Sequence, residues 1–403
     1  MRILQICNKF PYPLKDGGVI AAFTMFKGFY LLQHSVTVAA INTSKHFTNI
    51  LEIPHNIASM AEFHAIPLKT NVTLWGAFFN LLFSKLPYTA TRFIHKKFEK
   101  ELIDILKTQS FDVIQLEGLY LCPYIPLLRK YSTATIAYRS HNVEYKIWER
   151  LLAETHFLPK KLYVANLVDR IKKLELSFIN SYDILVPITQ HDADMYKAMG
   201  NTKPCCVVPT GVFTESMNPV ESSANTVSLF HIGGLDWAPN QQGILWFIEK
   251  CWPTLYAEFP FLKFVIAGRH APDSFIKKIQ IPGVQFEGEV DDAREFMQKN
   301  TIMVVPLLAG SGMRIKIIEG LALGKAIVST SIGAEGIPAV HNESICIADS
   351  VQEFIDSVRM VVKNYEFRCA IEKNAVTFVS SNFDNATIIS KLIDFYIEHG
   401  SGN

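Results

Sequence analysis

The sequence predicts the α/β class, with two doubly wound domains, each a parallel sheet covered by helices on both faces. Three observations carry this. Short apolar runs alternate with longer helical patterns along nearly the whole chain, as strands buried on both faces require. The alternation breaks once, at Thr-Glu-Ser-Met-Asn-Pro-Val-Glu-Ser-Ser-Ala-Asn (214–225), which is polar and aperiodic, and a strand-first unit restarts after it. The length of 403 residues suits two or three domains at ~150 residues each.

In chain order, the first series of buried-strand patterns is Ile3–Cys7, Val36–Ile41, Val113–Leu116, Thr135–Tyr138, Ile184–Ile188 and Cys206–Val208. The second is Val227–Ile232, Lys263–Ala267, Val284–Glu287, Met303–Leu307, Ala326–Thr330 and Ile345–Ala348. Between them lie amphipathic stretches such as Ile20–Leu32, Phe93–Leu106, Gly243–Phe259 and Gly312–Leu323. Near the end, Ile388, Ile389, Leu392, Ile393 and Tyr396 share one helical face. The expected organisation is a first domain over 1–213, a linker over 214–225 and a second domain over 226–384. A C-terminal helix over 385–403 is suited to packing back on the first domain. No sequence repeat is visible. Open parallel sheets bind ligands at the carboxyl ends of their strands, so two such domains facing each other predict a cleft between them.

Composition narrows the function. Lys and Arg number 39 against 38 Asp and Glu, a balance that argues against a nucleic-acid binder. Hydrophobic residues make up 49%, enough for large cores. The seven Cys (7, 122, 205, 206, 251, 346, 369) include no Cys-x-x-Cys pair, so neither a disulfide framework nor a zinc site is expected, and a reducing compartment fits. Met1–Cys7 enters a strand pattern directly, without the apolar core of a secretory signal. The longest apolar run, Leu74–Phe83, is half of the ~20 residues that span a bilayer. The expected location is cytoplasmic, with the inner face of the membrane as the nearest alternative. Residues 74–103 set apolar and aromatic side chains beside Arg92, His95, Lys96, Lys97 and Lys100. Two readings fit: peripheral contact with an anionic membrane, or a core-packed helix with a solvated basic face.

The most informative stretch is Pro306-Leu-Leu-Ala-Gly-Ser-Gly-Met-Arg-Ile-Lys-Ile-Ile-Glu319-Gly-Leu-Ala-Leu-Gly-Lys-Ala-Ile-Val-Ser-Thr330. A strand ends near Leu307, and the turn Gly310, Ser311, Gly312 opens a helix. The first N–H groups of a helix have no internal partner and, with its dipole, form an anion site. Arg314 and Lys316 fall in the first turn, where positive charge disfavours the helix unless an anion offsets it. Glu319, further along, suits hydroxyl groups. Asp291-Asp292 invites a metal reading, but Asp292-Ala-Arg-Glu295 fits a helix cap better, and no metal is expected.

This stretch resembles the nucleotide-sugar site of family-4 retaining glycosyltransferases of the GT-B fold, two Rossmann-like domains around a cleft. Their motif is Glu-x7-Glu before a small-residue helix. Glu319 matches the second glutamate, which in that family binds the donor ribose. Ser311 stands where the first would be, and that carboxylate touches donor-sugar hydroxyls. The family also opens its second domain with an Arg and a Lys that grip the diphosphate. Here the segment is His231-Ile-Gly-Gly-Leu-Asp-Trp-Ala-Pro-Asn240, with neither cation. Arg314 and Lys316 would then supply both charges. The resemblance places Gly234, Gly310 and Gly312 against the donor and Gly268 beside its base. Asn240 fits either a ligand contact or a helix cap, and Glu335 either a sugar hydroxyl or a turn.

In the first domain, Gly17-Gly18 follows the first strand after a loop too long for a dinucleotide fingerprint. The resemblance implies that its N–H groups reach the diphosphate. Arg139-Ser-His141-Asn142-Val-Glu144 follows the strand Thr135–Tyr138 at its carboxyl end. His141 matches the family histidine that contacts the donor sugar near the reacting carbon, while Arg139, Asn142 and Glu144 are candidate sugar or acceptor contacts, Glu144 alternatively orienting His141. Thr189-Gln190 and Thr210-Gly211-Val212 sit at equivalent strand ends.

The implied activity is metal-independent transfer of a hexosyl group, with retention, from a nucleoside diphosphate sugar to a saccharide or lipid-linked saccharide. The setting would be synthesis of cell-surface polysaccharide or glycolipid. The sugar nucleotide is a co-substrate, and no cofactor is expected. The alternatives are a GT-B-type nucleotide-sugar epimerase and a nucleotide-sugar-binding pseudoenzyme.

Overall fold

A computed structural model describes residues 1–14, 16–44, 47–219, 227–310 and 312–400. It forms two compact units, Met1–Thr210 with Ala386–Asn403, and Gly211–Asn385.

The first unit is built on β1 (Arg2–Cys7), β2 (Ser35–Thr43), β3 (Glu62–Leu68), β4 (Val113–Glu117), β5 (Thr135–Ser140) and β6 (Ile184–Pro187), in the spatial order β3-β2-β1-β4-β5-β6. All pairings are parallel. Side chains of β1 alternate between two apolar layers: Leu4 and Ile6 join one with Leu102, Ile105 and Leu116, and Ile3 and Cys7 join the other with Phe26 and Phe29. The helix Gly17–Leu31 starts where Asp16 accepts from the Val19 N–H at 3.0 Å. The helix Asn385–His399 buries Ile389, Leu392, Ile393 and Tyr396 in that second layer, and the Tyr396 hydroxyl donates to Gln115 Oε1 at 2.7 Å.

The second unit holds β7 (Ser228–Ile232), β8 (Lys263–Ala267), β9 (Val284–Gly288), β10 (Ile302–Val305), β11 (Ala326–Ser329) and β12 (Cys346–Ile347), ordered β12-β11-β10-β7-β8-β9 and again parallel. Counted from each unit's own first strand, both sheets read 3-2-1-4-5-6. The strand order reverses between β1 and β4, and between β7 and β10. Connections leave such a pair toward opposite faces and open a crevice at the carboxyl ends, where doubly wound sheets bind ligands.

Two strand expectations need correction. β3 has no counterpart among the expected strands: it is a half-exposed edge strand carrying Pro67, so it shows no buried apolar run. Cys206–Val208 is not a strand. Pro204 and Pro209 flank it; it runs beside β6 with an isolated bridge between Leu185 and Cys205, and the Cys206 and Val208 N–H groups donate to the Leu185 and Pro187 carbonyls at 3.0 and 2.8 Å. Of the expected linker, residues 220–225 lie outside the described residues. Before them, Thr214 Oγ1 donates to Asp384 at 2.7 Å and Met217 is buried in the second unit's core.

Candidate functional site

In the second unit, β10 ends at Val305 and the chain turns through Gly310 and Gly312, at φ of 123° and 83°. Both angles lie in the region that residues with a Cβ avoid. Arg314 is the N-cap of the helix Ile315–Ala322. Its guanidinium lies over the Trp237 ring, 5.3 Å from the centroid, and donates through Nη1 to the Gly312 carbonyl. Ser311 lies outside the described residues.

Lys316, the second residue of that helix, reaches back to the end of β7. Its Nζ lies 3.1 Å from each of three acceptors: His231 Nε2, the Ile232 carbonyl and Asn240 Oδ1. The acceptors are fixed by their own bonds. His231 Nδ1 meets the Val304 carbonyl at 2.7 Å, so Nδ1 carries the proton and Nε2 presents a lone pair. Asn240 Nδ2 donates to the Gly234 carbonyl at 2.8 Å, which turns Oδ1 toward the ammonium. A Cβ on Gly233 would come within 3.1 Å of Nζ, so glycine there keeps the approach open. Asn240 is therefore a lysine ligand and not a helix cap; the helix Ala238–Lys250 is capped at Trp237.

The electrostatics are unusual. Among the described residues no carboxylate lies in ion-pair range of Lys316. Burial, then the neighbouring Arg314 charge, pulls its ammonium down to about 7. Burial and the Lys316 charge hold His231 well below its usual range, hence neutral. Two cations thus sit together at a strand–helix turn, one of them surrounded by neutral acceptors.

Glu319 lies one turn beyond Lys316 on the same face. Its carboxylate makes no hydrogen bond among the described residues, and burial raises its pKa, with Arg294 opposing and Asp292 adding. Gly268 follows β8 and is required by packing: a Cβ there would stand 2.0 Å from the Gly233 carbonyl. Glu335 lies in the turn after β11, where its N–H donates to the Ile332 carbonyl. Asp292 accepts from the Arg294 and Glu295 N–H groups at 2.7 and 3.3 Å, which makes it a helix cap. No group of three potential metal ligands occurs among the described residues.

The first unit gathers a separate cluster at the ends of β1, β4 and β5. Parallel register sets Cys7, Glu117 and Arg139 side by side. His141 Nε2 meets Glu117 Oε2 at 2.6 Å. Gln5 and Gln115 both donate to Glu117 Oε1. Burial pushes the Glu117 carboxyl up, but Arg139, His141 and Gln115 together hold it below the usual carboxylate range. An ionised Glu117 only accepts, so His141 donates through Nε2 and presents Nδ1 beside Gly18, 3.7 Å from where a Cβ there would sit. Gly17 is the first residue of its helix.

Arg139 is fully buried, 3.4 Å from Glu117, and serves as its internal counter-ion. One expectation is corrected. Glu144 does not orient His141. Its carboxylate accepts from the Tyr120 hydroxyl at 3.0 Å, and burial together with Glu175 raises it to about 7. Glu175 accepts from the Glu144 and Tyr145 N–H groups, at 3.1 and 3.3 Å, at the start of the helix Glu144–Ala153. The Asn142 carbonyl accepts from Ser140 Oγ at 2.8 Å, and Thr189 caps the helix Gln190–Ala198. Sequence reasoning missed Glu117 and His231. The available signal was a polar residue within, or ending, a buried strand, as with Gln5, Gln115, Glu117 and His231.

Residues 226–364 match the family model of Glycosyl transferases group 1. An uncharacterised 44.6 kDa protein in the cps region of Klebsiella pneumoniae is 23% identical over 315 residues, covering 73% of this chain and 77% of that protein. Among solved structures, sucrose-phosphate synthase from Thermosynechococcus elongatus aligns with a TM-score of 0.72 at 12% identity, over 99% of both chains. Anabaena HepE in complex with UDP aligns with a TM-score of 0.68 at 14% identity, over 99% of this chain and 100% of that one. The likeness to these two structures shows the fold, GT-B.

Proposed function

We propose that this chain transfers a hexosyl group, with retention and without a metal ion, from a nucleoside diphosphate sugar to a saccharide or lipid-linked saccharide. The synthesis of cell-surface polysaccharide or glycolipid is the proposed setting. One observation carries the reading: the Arg314–Lys316 pair, at the helix turn of the unit that matches the group 1 model, with no carboxylate of the described residues in ion-pair range of Lys316. Buried cations are normally paired. A lysine held on neutral acceptors beside a second cation suits a polyanion that comes and goes. The UDP bound by HepE and the cps-region setting of the Klebsiella protein support a sugar-nucleotide donor and a polysaccharide product.

In the proposed step, the bond between the sugar's anomeric carbon and the diphosphate oxygen breaks with its electron pair going to the diphosphate. The acceptor hydroxyl forms the new bond on the same face and gives its proton to the departing diphosphate. Arg314, Lys316 and the N–H groups at the mouth of helix Ile315–Ala322 stabilise the growing negative charge. Glu319 receives ribose hydroxyls, and Ser311 and Glu335 are assigned to the sugar. The Gly17-Gly18 N–H groups are assigned to the diphosphate and His141, held by Glu117, to the sugar near the reacting carbon. Asn142 and Glu144 remain the candidates for acceptor contact. The test is product analysis with a panel of nucleotide sugars and saccharide or lipid-linked acceptors. A new glycoside of retained configuration supports the proposal. An epimerised donor, or no turnover with any donor that binds, refutes it.

A further inference from the structure

The first unit carries a helix built the wrong way round for water. Leu74–Phe83 contains no charged residue and none that is buried. Its outward face carries Leu74, Trp75, Phe78, Phe79, Leu82 and Phe83, between 50% and 89% exposed. The small and polar residues face the protein instead. Gly76 fits under the Tyr88 hydroxyl, and Asn80 donates to Thr91 at 3.3 Å. Arg170 clamps the helix by donating to the Asn80 and Leu81 carbonyls at 3.0 and 2.8 Å. A soluble surface helix shows the opposite pattern, with its apolar stripe inward.

Arg170 belongs to the helix Leu158–Phe178, whose start adds a second exposed apolar group: Phe157, Leu158 and Leu162, at 65% to 70% exposure. Arg170, through its bonds to the Asn80 and Leu81 carbonyls, holds this helix beside Leu74–Phe83, and Tyr163, next to Leu162, is in electrostatic range of Tyr88 and Arg92 from the segment that follows Leu74–Phe83. The sequence windows that hold the two groups carry bases and no acids. From Phe63 to His95 the sequence has Lys69, Lys85 and Arg92 and no Asp or Glu. From Thr155 to Val168 it has Lys160 and Lys161 and again no acid. In a chain with 39 cations and 38 anions, that clustering marks a surface. The helix Lys96–Thr108 is not part of it, since Phe98, Leu102, Ile105 and Leu106 pack it into the core.

We propose that Leu74–Phe83 and Phe157–Leu162 form one docking surface for an anionic lipid bilayer. Ten residues of helix are about 15 Å long, half the hydrocarbon thickness, so the helix lies in the plane of the interface. Its aromatic side chains enter the boundary between headgroups and acyl chains, and Lys85, Lys160 and Lys161 meet lipid phosphates. The proposal is independent of the transferase reading, because lipid binding is measured with no nucleotide sugar present.

The test is co-sedimentation of the full chain with vesicles of phosphatidylcholine alone and of equal parts phosphatidylcholine and phosphatidylglycerol. The protein is expected to pellet with the anionic vesicles, less so as salt rises. Trp75→Glu with Phe79→Glu should lower partitioning by about tenfold or more at unchanged Tm. Lys160→Glu with Lys161→Glu should abolish the preference for anionic lipid. A milder variant guards against misfolding: brominated phosphatidylglycerol should quench fluorescence in the wild type and lose most of that effect in Trp75→Phe. The proposal fails if the wild type stays in the supernatant with anionic vesicles, or if the aromatic double variant pellets equally well. It fails too if the lipid-free protein is a dimer that the same substitutions make monomeric, since the surface then pairs two copies of this chain.

Discussion

Lys316 keeps a cation on three neutral acceptors beside a second cation, and its response to pH follows. Its ammonium is held at about 7 against an ordinary 10.5, so the free site loses its charge as pH rises through about 7. A bound diphosphate raises that value, so donor affinity should be greatest below pH 7 and fall above it, which titration across that range would check. Lys316→Ala and Arg314→Ala should each slow transfer by about 10²–10³, the usual loss for a missing oxyanion donor, and a double variant with near-normal turnover would reject the site. Glu319→Gln should weaken binding of the bare nucleoside diphosphate by roughly 1.5–3 kcal/mol, if the carboxylate takes ribose hydroxyls as proposed. Glu144 makes stability depend on pH. Its carboxyl is raised from 4.5 to about 7, so the folded state holds a proton there that the unfolded state has lost, and stability falls as pH climbs between those values. Tm measured at both ends of that window should change less in Glu144→Gln than in the wild type. These residues differ in how far sequence reveals them. Arg314, Lys316 and Glu319 stand out as candidates because they lie in one contiguous motif. Glu117 and His231 do not, because their contacts arise from partners on neighbouring parallel strands that are far away in sequence.

At the scale of elements, what the sequence displays is burial. Strands such as Val113–Glu117 and Ile302–Val305 are wholly buried, and the corresponding apolar runs were legible to within about a residue or two. β3, at an edge, was not. The helix Leu74–Phe83 stood out as an apolar run, but only the structure shows that its large side chains face outward. The C-terminal helix was legible from its apolar spacing, and its packing offers a direct test. A Cβ on Gly28 would fall 1.9 Å from Ile389 Cδ1, so glycine lets the helices Gly17–Leu31 and Asn385–His399 approach closely. Gly28→Val should destabilise by about 1–3 kcal/mol through overpacking. Ile389→Ala in the same chain should recover part of that loss, since the two changes share one contact. Denaturant unfolding of the single and double variants measures the coupling, and additive effects would reject the contact.

At the scale of the molecule, the same 3-2-1-4-5-6 order is built twice from sequences without a visible repeat. Hydrophobic patterning fixes where strands fall, while their order follows from chain connections that no local pattern records. In each unit the candidate groups gather around the reversal of strand order: Gly18, Glu117 and His141 beside β1 and β4, and Gly233, Arg314 and Lys316 beside β7 and β10. Transfer should survive chelation of divalent ions, because Asp292 is occupied as a helix cap; complete inhibition reversed by added metal would contradict this. The central claim is that Arg314 and Lys316 form a diphosphate site. The most direct measurement is isothermal titration of a panel of nucleoside diphosphates into the wild type and into Lys316→Ala near pH 7. The account predicts that at least one member binds the wild type and that the substitution weakens it about tenfold or more, the loss of a charge-assisted bond. Equal affinity in the two proteins, or no binding by any member of the panel, would contradict it.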